Sequence, residues 1–179
     1  MLSFMTFFPL AGAVAVALLP RARETWARWL ALAISLVVLG CALALFAAYD
    51  RDGAQFQFVD AHTWITSEVA PFTVRYLLGV DGLSLPLVLL TAFLTTVAVL
   101  ISWNIDLRPR EYFAWLLVLE TSLLGVFSSL DLVLFFLFFE LELVPMYFLI
   151  SIWGTGRRVY SAWKYVLFTF FGSAFMLVG

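Results

Sequence analysis

The chain has 179 residues, 64% of them apolar and 12% charged, with a mean hydropathy of +1.04. These proportions exclude an ordinary soluble domain and make lipid the solvent of most of the chain. Lys and Arg number 10 and Asp and Glu 12, so the net charge is −2, and the charges cluster between uncharged runs in a way that gives nucleic acid no footing.

A hydrocarbon core of about 30 Å takes about 20 residues of helix. Six apolar runs meet that length, at 1–19, 29–49, 83–103, 112–130, 132–153 and 159–179. The first is a retained span and not a cleaved signal, because its arginines follow the apolar run instead of preceding it. None of the runs alternates with a period of two, so a membrane β-barrel is excluded and the backbone must be satisfied within helices. The expected fold is all-α, a polytopic transmembrane bundle of about six helices forming one membrane domain. The final run stops at Gly179 without a polar flank, so six is a lower bound and the sequence reads as the N-terminal part of a longer chain.

Between the second and third runs lies a long connection, 50–82. Its segment "AQFQFVDAHTWI" alternates as a strand does, one half of a hairpin ahead of "RYLLGVDGLSLPL". His62 there is a solvated or interfacial residue. "GVDGLS", Gly79 to Ser84, reads as a turn and a helix start capped by Asp81 or Ser84. Arg21, Arg23, Arg28, Arg108, Arg110, Arg157 and Arg158 occupy the odd connections, whereas Arg51 and Arg75 are the only basic residues of the even ones. The positive-inside rule then puts the odd connections in the cytoplasm, with the N-terminus and the 50–82 loop outside.

Acids at bilayer depth are costly and mark ion or proton pathways. Glu120 and Glu140 each follow an acid at the helix edge, Glu111 and Asp131, by nine residues. Both therefore lie about 13–14 Å inside their helices. The connection around Ser128, Ser129 and Asp131 is so short that the two helices must form an antiparallel hairpin, on which two carboxyls of similar depth could share or relay a proton. At 100° per residue Tyr147 and Ser151 return to the side of Glu140, giving a polar stripe toward the cytoplasmic end. Glu142 points about 200° away and needs another helix, another subunit or a local water. Pro145 cannot donate to the carbonyl of Leu141, one residue past Glu140. Lys164 lies five residues inside the sixth run, shallow enough to snorkel and about 12 Å short of the depth of Glu140. A direct pair between them is not expected. Cys41 and His62 offer no disulfide and no Cys/His metal cluster.

"LGVDGLSLPLVLLTAFL", "LVLETSLLGVFSSLDLVLFFLFFELELVPMYFLISIWG" and "SAWKYVLFTFFGS" resemble the antiporter-like membrane subunits, chain 4 or subunit M, of proton-pumping NADH:quinone oxidoreductase, respiratory complex I. The most specific phrase begins at Glu140 and runs through Pro145 to Gly154. The resemblance implies a fourteen-helix fold of which this chain carries roughly the first six. It implies proton-transfer roles for Glu140 in the fifth helix and Glu120 in the fourth. The family's lysine partner for Glu140 would lie on a seventh helix, while Lys164 matches a different lysine in the sixth and is expected to join Glu140 and Glu120 in the proton-transfer chain. It also implies partners: other membrane subunits of the complex and the lipid bilayer of a bacterial inner membrane. No cofactor is expected in this chain, since NADH, FMN, iron–sulfur clusters and quinone belong to partner subunits. A related multisubunit cation/proton antiporter or membrane-bound hydrogenase subunit is the alternative of the same class, and a passive membrane scaffold that of another.

Overall fold

The computed structural model describes residues 1–20, 24–50, 53–66 and 73–178, with the side chains of 64–66, 73, 177 and 178 left aside. Arg21, Arg23 and Arg51 lie outside the described residues. Six helices and one hairpin follow in order: α1 Leu2–Ala17, α2 Glu24–Ala48, β1 Gln57–Thr66, β2 Thr73–Val80, α3 Ser84–Ile101, α4 Pro109–Ser128, α5 Leu132–Trp153 and α6 Arg158–Val178.

Helix ends follow local chemistry more than hydropathy. α2 starts at Glu24, five residues ahead of the apolar run expected from 29, with an acid in its first turn where the helix dipole favours one. Asp81 Oδ1 accepts the N–H groups of Leu83 and Ser84, and Ser84 Oγ accepts the N–H of Asp81. Both residues proposed as caps therefore act, one on the other. The backbone N–H of Ser84 is the main influence holding the Asp81 carboxyl below its ordinary range. α5 is capped by Asp131, which accepts from Val133 N at 2.9 Å and Leu134 N at 3.1 Å, and it continues through Pro145. α1 likewise continues through Pro9.

The expected strand finds its partner in "RYLLGV": β1 and β2 pair antiparallel, with Asp60 opposite Leu78 and His62 opposite Tyr76. Phe58 takes a positive φ of 56° where the register shifts between Gln57 and Asp60, a bulge that turns the strand's start. The hairpin is clasped to the α4–α5 turn by main-chain pairing of Leu78 with Ser129 and by the Leu130 N–H donated to the Leu77 carbonyl at 2.9 Å. It is also tied to α1, since Asp60 Oδ2 accepts from the N–H and the hydroxyl of Ser3, both at 2.9 Å.

α4 and α5 form the antiparallel pair that their short turn requires. Gly125 permits it, because a Cβ there would overlap the ring of Phe138. At the end away from the hairpin, Arg110 donates to the Leu19 carbonyl, Arg28 to the Ile105 carbonyl and Asp106, and Trp153 Nε1 to the Leu107 carbonyl. α2, α4, α5 and the segment Ser84–Asn104 are each long and apolar enough to cross a membrane; α1 spans 16 residues, about 24 Å.

The core divides into two apolar clusters. One gathers Leu2, Met5, Val38, Val88, Leu124 and Phe138 toward the hairpin, the other Ala13, Val16, Ile34, Val99, Phe113 and Leu117 toward the opposite end.

Candidate functional site: buried acids on α4 and α5

Between the two clusters runs a layer of buried polar side chains: Thr6 on α1, Ser35 on α2, Thr91, Thr95 and Thr96 on α3, and Glu120, Thr121 and Ser122 on α4. Glu120 is 0% exposed, and neither of its carboxyl oxygens has a hydrogen-bond partner. Phe113, Leu117 and Leu124 share its side of α4, and they pack in the clusters with residues of α1, α2 and α3. Glu120 therefore points into the meeting of those helices.

Glu140 is half-buried and turns the other way. Ser173 Oγ on α6 hydrogen-bonds Glu140 Oε1, and the Phe170 carbonyl of its own helix, 2.9 Å away, is a second acceptor for the same hydroxyl proton. Tyr147, one face with Glu140, packs edge-on against Trp163 of α6 with ring centroids 5.4 Å apart. The stripe read from helical angle thus lines the α5–α6 seam. Its last member, Ser151, spends its hydroxyl on the Phe148 carbonyl of its own helix. The two acids are on neighbouring helices as expected, but the helical phases send them to opposite sides of the α4–α5 pair, and no hydrogen bond joins them.

Lys164 is exposed, with its ammonium 5.7 Å from the centroid of the Phe168 ring one turn along. Ala162 and Ser173, the buried ones among the described side chains of α6, lie about 200° and 180° around the helix from it, so the helix itself separates Lys164 from Glu140. Among the described residues no ion pair includes Lys164. Glu142 is half-buried. Among the described residues no three His, Cys, Asp or Glu side chains come together as a metal site.

Ser173 was not singled out from sequence. Antiparallel α5 and α6 joined by a short turn place position 173 near the depth of Glu140, so the signal was a hydroxyl at matched depth in the next helix.

Residues 129–179, the segment holding Glu140 and Ser173, match the family described as NADH:quinone oxidoreductase/Mrp antiporter, transmembrane. The chain is 42% identical to NADH-quinone oxidoreductase subunit M of Rhodobacter capsulatus, over 99% of its own length and 34% of that protein's. It is 41% identical to an NAD(P)H-quinone oxidoreductase chain 4 of Thermosynechococcus vestitus, over 99% and 33% of the two lengths. Among solved structures, respiratory complex I from Thermus thermophilus with bound NADH contains a chain matched at a TM-score of 0.81 and 25% identity, across 99% of this chain and 34% of that one. The chain spans about a third of the length of the relatives it matches, and over that third it is similar to membrane subunits of NADH:quinone oxidoreductase.

Proposed function

We propose that the chain is part of a proton-translocating membrane subunit of an NADH:quinone oxidoreductase, and that Glu140 is its proton-loading group. The observation that carries this is the carboxyl of Glu140 held by Ser173 across the α5–α6 seam, within the segment that matches the transporting family. A hydroxyl that donates to one carboxyl oxygen orients the other for an incoming proton. Tyr147 extends the seam toward the arginine-rich end and is the next polar group along the route. Glu120 is a second, more fully buried station, reached from Glu140 through groups not bonded to either acid. Lys164, on the far side of α6, serves the route only through residues beyond that helix.

Electron transfer from NADH through FMN and iron–sulfur clusters to quinone would take place in partner subunits, and the other membrane subunits and the lipid of a bacterial inner membrane would surround this chain. The grouping of Arg28, Arg108, Arg110, Arg157 and Arg158 away from the hairpin supports a cytoplasmic position for that end and an external N-terminus.

Glu140→Gln in the intact complex tests the proposal. Most proton pumping is expected to disappear while the complex assembles and binds its redox partners; full coupled pumping by the variant would refute the role. The family description also covers Mrp antiporters, so a subunit of a cation/proton antiporter is the second possibility. Purification of the native assembly separates the two: NADH-oxidising and iron–sulfur subunits accompany the first and are missing from the second.

A further inference from the structure

A serine hydroxyl has one proton to give and two lone pairs with which to accept. The buried hydroxyls of Ser35, Thr121, Ser122 and Ser128 spend that proton on a carbonyl of their own helix, Leu32, Leu117, Val118 and Leu124 respectively. Ser173 does the same with the Phe170 carbonyl at 2.9 Å, but it also lies within hydrogen-bond reach of Glu140 Oε1 across the α5–α6 seam. It is 3% exposed, so bulk water does not supply a missing partner. Among the described residues no other hydrogen bond and no ion pair includes Glu140.

Counting protons separates the two states of the acid. With Glu140 ionised, the Phe170 carbonyl and the carboxylate are both acceptors for the one hydroxyl proton. The charged acceptor makes the stronger bond, so the hydroxyl turns to the carboxylate. The Phe170 carbonyl is not orphaned by that turn, because it keeps the N–H of Ala174 in the continuous ladder of α6. With Glu140 protonated on the oxygen facing Ser173, the carboxyl O–H donates to Ser173 Oγ while the Ser173 proton goes to the Phe170 carbonyl. Every contact in the set then holds a proton. Both arrangements fit the same heavy-atom positions, and neither leaves Ser173 or the Phe170 carbonyl unpaired in the buried seam, where an unpaired group is costly.

Resting on the reading of Glu140 as the proton-loading group, we infer that Ser173 is a positioning residue whose hydroxyl turns over with the charge of Glu140, donating to the carboxylate before loading and accepting from the carboxylic acid after it. Loading adds one proton at Oε2, the oxygen that Ser173 leaves free. A half-turn of the carboxyl, whose terminal torsion is two-fold and broad, brings the new O–H to Ser173 Oγ, and the Ser173 proton swings to the Phe170 carbonyl. The Ser173 O–H bond itself stays whole throughout. The acid is gripped by α6 in both states, so the seam stays closed while its charge changes.

The test uses the intact complex in liposomes, with Ser173→Ala and Ser173→Cys compared by proton uptake and by infrared difference spectroscopy of the protonated Glu140 carboxyl, whose C=O band is assigned by its loss in Glu140→Gln. Cys fills the space of the serine, and its thiol is only a weak donor and acceptor. Both variants are expected to slow uptake about tenfold, the worth of one hydrogen bond to an ionisable group, and to move the C=O band to higher wavenumber as the carboxyl O–H loses its acceptor. Parental uptake with an unmoved band in Ala overturns the inference. So does a Cys variant with the parental rate and band, or failure of Ala to assemble while Cys assembles, either of which would make position 173 a matter of volume. Glu140→Gln is read separately: parental uptake in that variant removes Glu140 as the loading group, whereas a band shift in Ser173→Ala still establishes the hold of the hydroxyl on the acid.

Discussion

Single side chains at the hairpin end join elements distant in sequence, and Asp60 is the clearest case. Burial pushes its carboxyl upward, but the N–H and hydroxyl of Ser3 and the ammonium of Met1 outweigh that and leave it below its ordinary value. A depressed carboxyl contributes stability that is complete above its unfolded pKa of about 3.9 and lost as pH falls through the folded one. At 25% exposure the electrostatic part is screened, so the hydrogen bonds carry most of the effect. Asp60→Asn is therefore expected to lower the melting temperature of the detergent-solubilised complex at pH 7, and the gap between variant and parent should narrow below about pH 4. A gap that stays constant from pH 7 to pH 3 would show that ionisation of Asp60 contributes nothing.

Helix contacts raise a different question, of how closely two backbones must approach to place an acid. α4 and α5 meet where the Phe138 ring lies over Gly125, and the same ring contacts Phe7 of α1 with centroids 6.0 Å apart. Gly125→Ala forces the ring to move in a packed setting, at an expected cost of about 1–3 kcal/mol. Phe138→Leu in the same chain should return part of that stability, and unfolding in mixed micelles would measure the coupling. If the two substitutions simply add, the ring is not what spaces the helices. The displacement would also be felt at Glu140, which follows Phe138 by two residues.

Across the whole molecule, what could be read from sequence was what one helix at a time dictates. The depths of Glu120 and Glu140 follow from residue spacing, and the angle of Tyr147 from helical period. The caps at Asp81 and Asp131 follow from side chains that compete for backbone N–H groups. What could not be read was the choice of neighbour for each face. Apolar runs in a membrane are apolar all round, so no amphipathic stripe announces that Glu140 meets Ser173 or that Glu120 points to where α1, α2 and α3 meet. The start of α2 was displaced for a related reason: hydropathy locates the lipid, while hydrogen bonding and caps locate the helix, and the polar turn from Glu24 to Arg28 belongs to the second without belonging to the first.

The clasp between the hairpin and the α4–α5 turn joins main-chain atoms, the Leu77 carbonyl with the Leu130 N–H and the pairing of Leu78 with Ser129, beside the Arg75 N–H donated to Asp131 Oδ2 at 3.3 Å. Substitution at those four positions changes side chains and leaves the joint intact, so the joint can persist while the residues around it drift. Proline is the exception, since it alone removes the donor. Leu130→Pro should release the hairpin from the turn and expose the β2 amides to hydrogen exchange, whereas Leu130→Ala should leave their protection in place. The helices of both acids would then have lost a fastening that a change of side chain alone leaves in place.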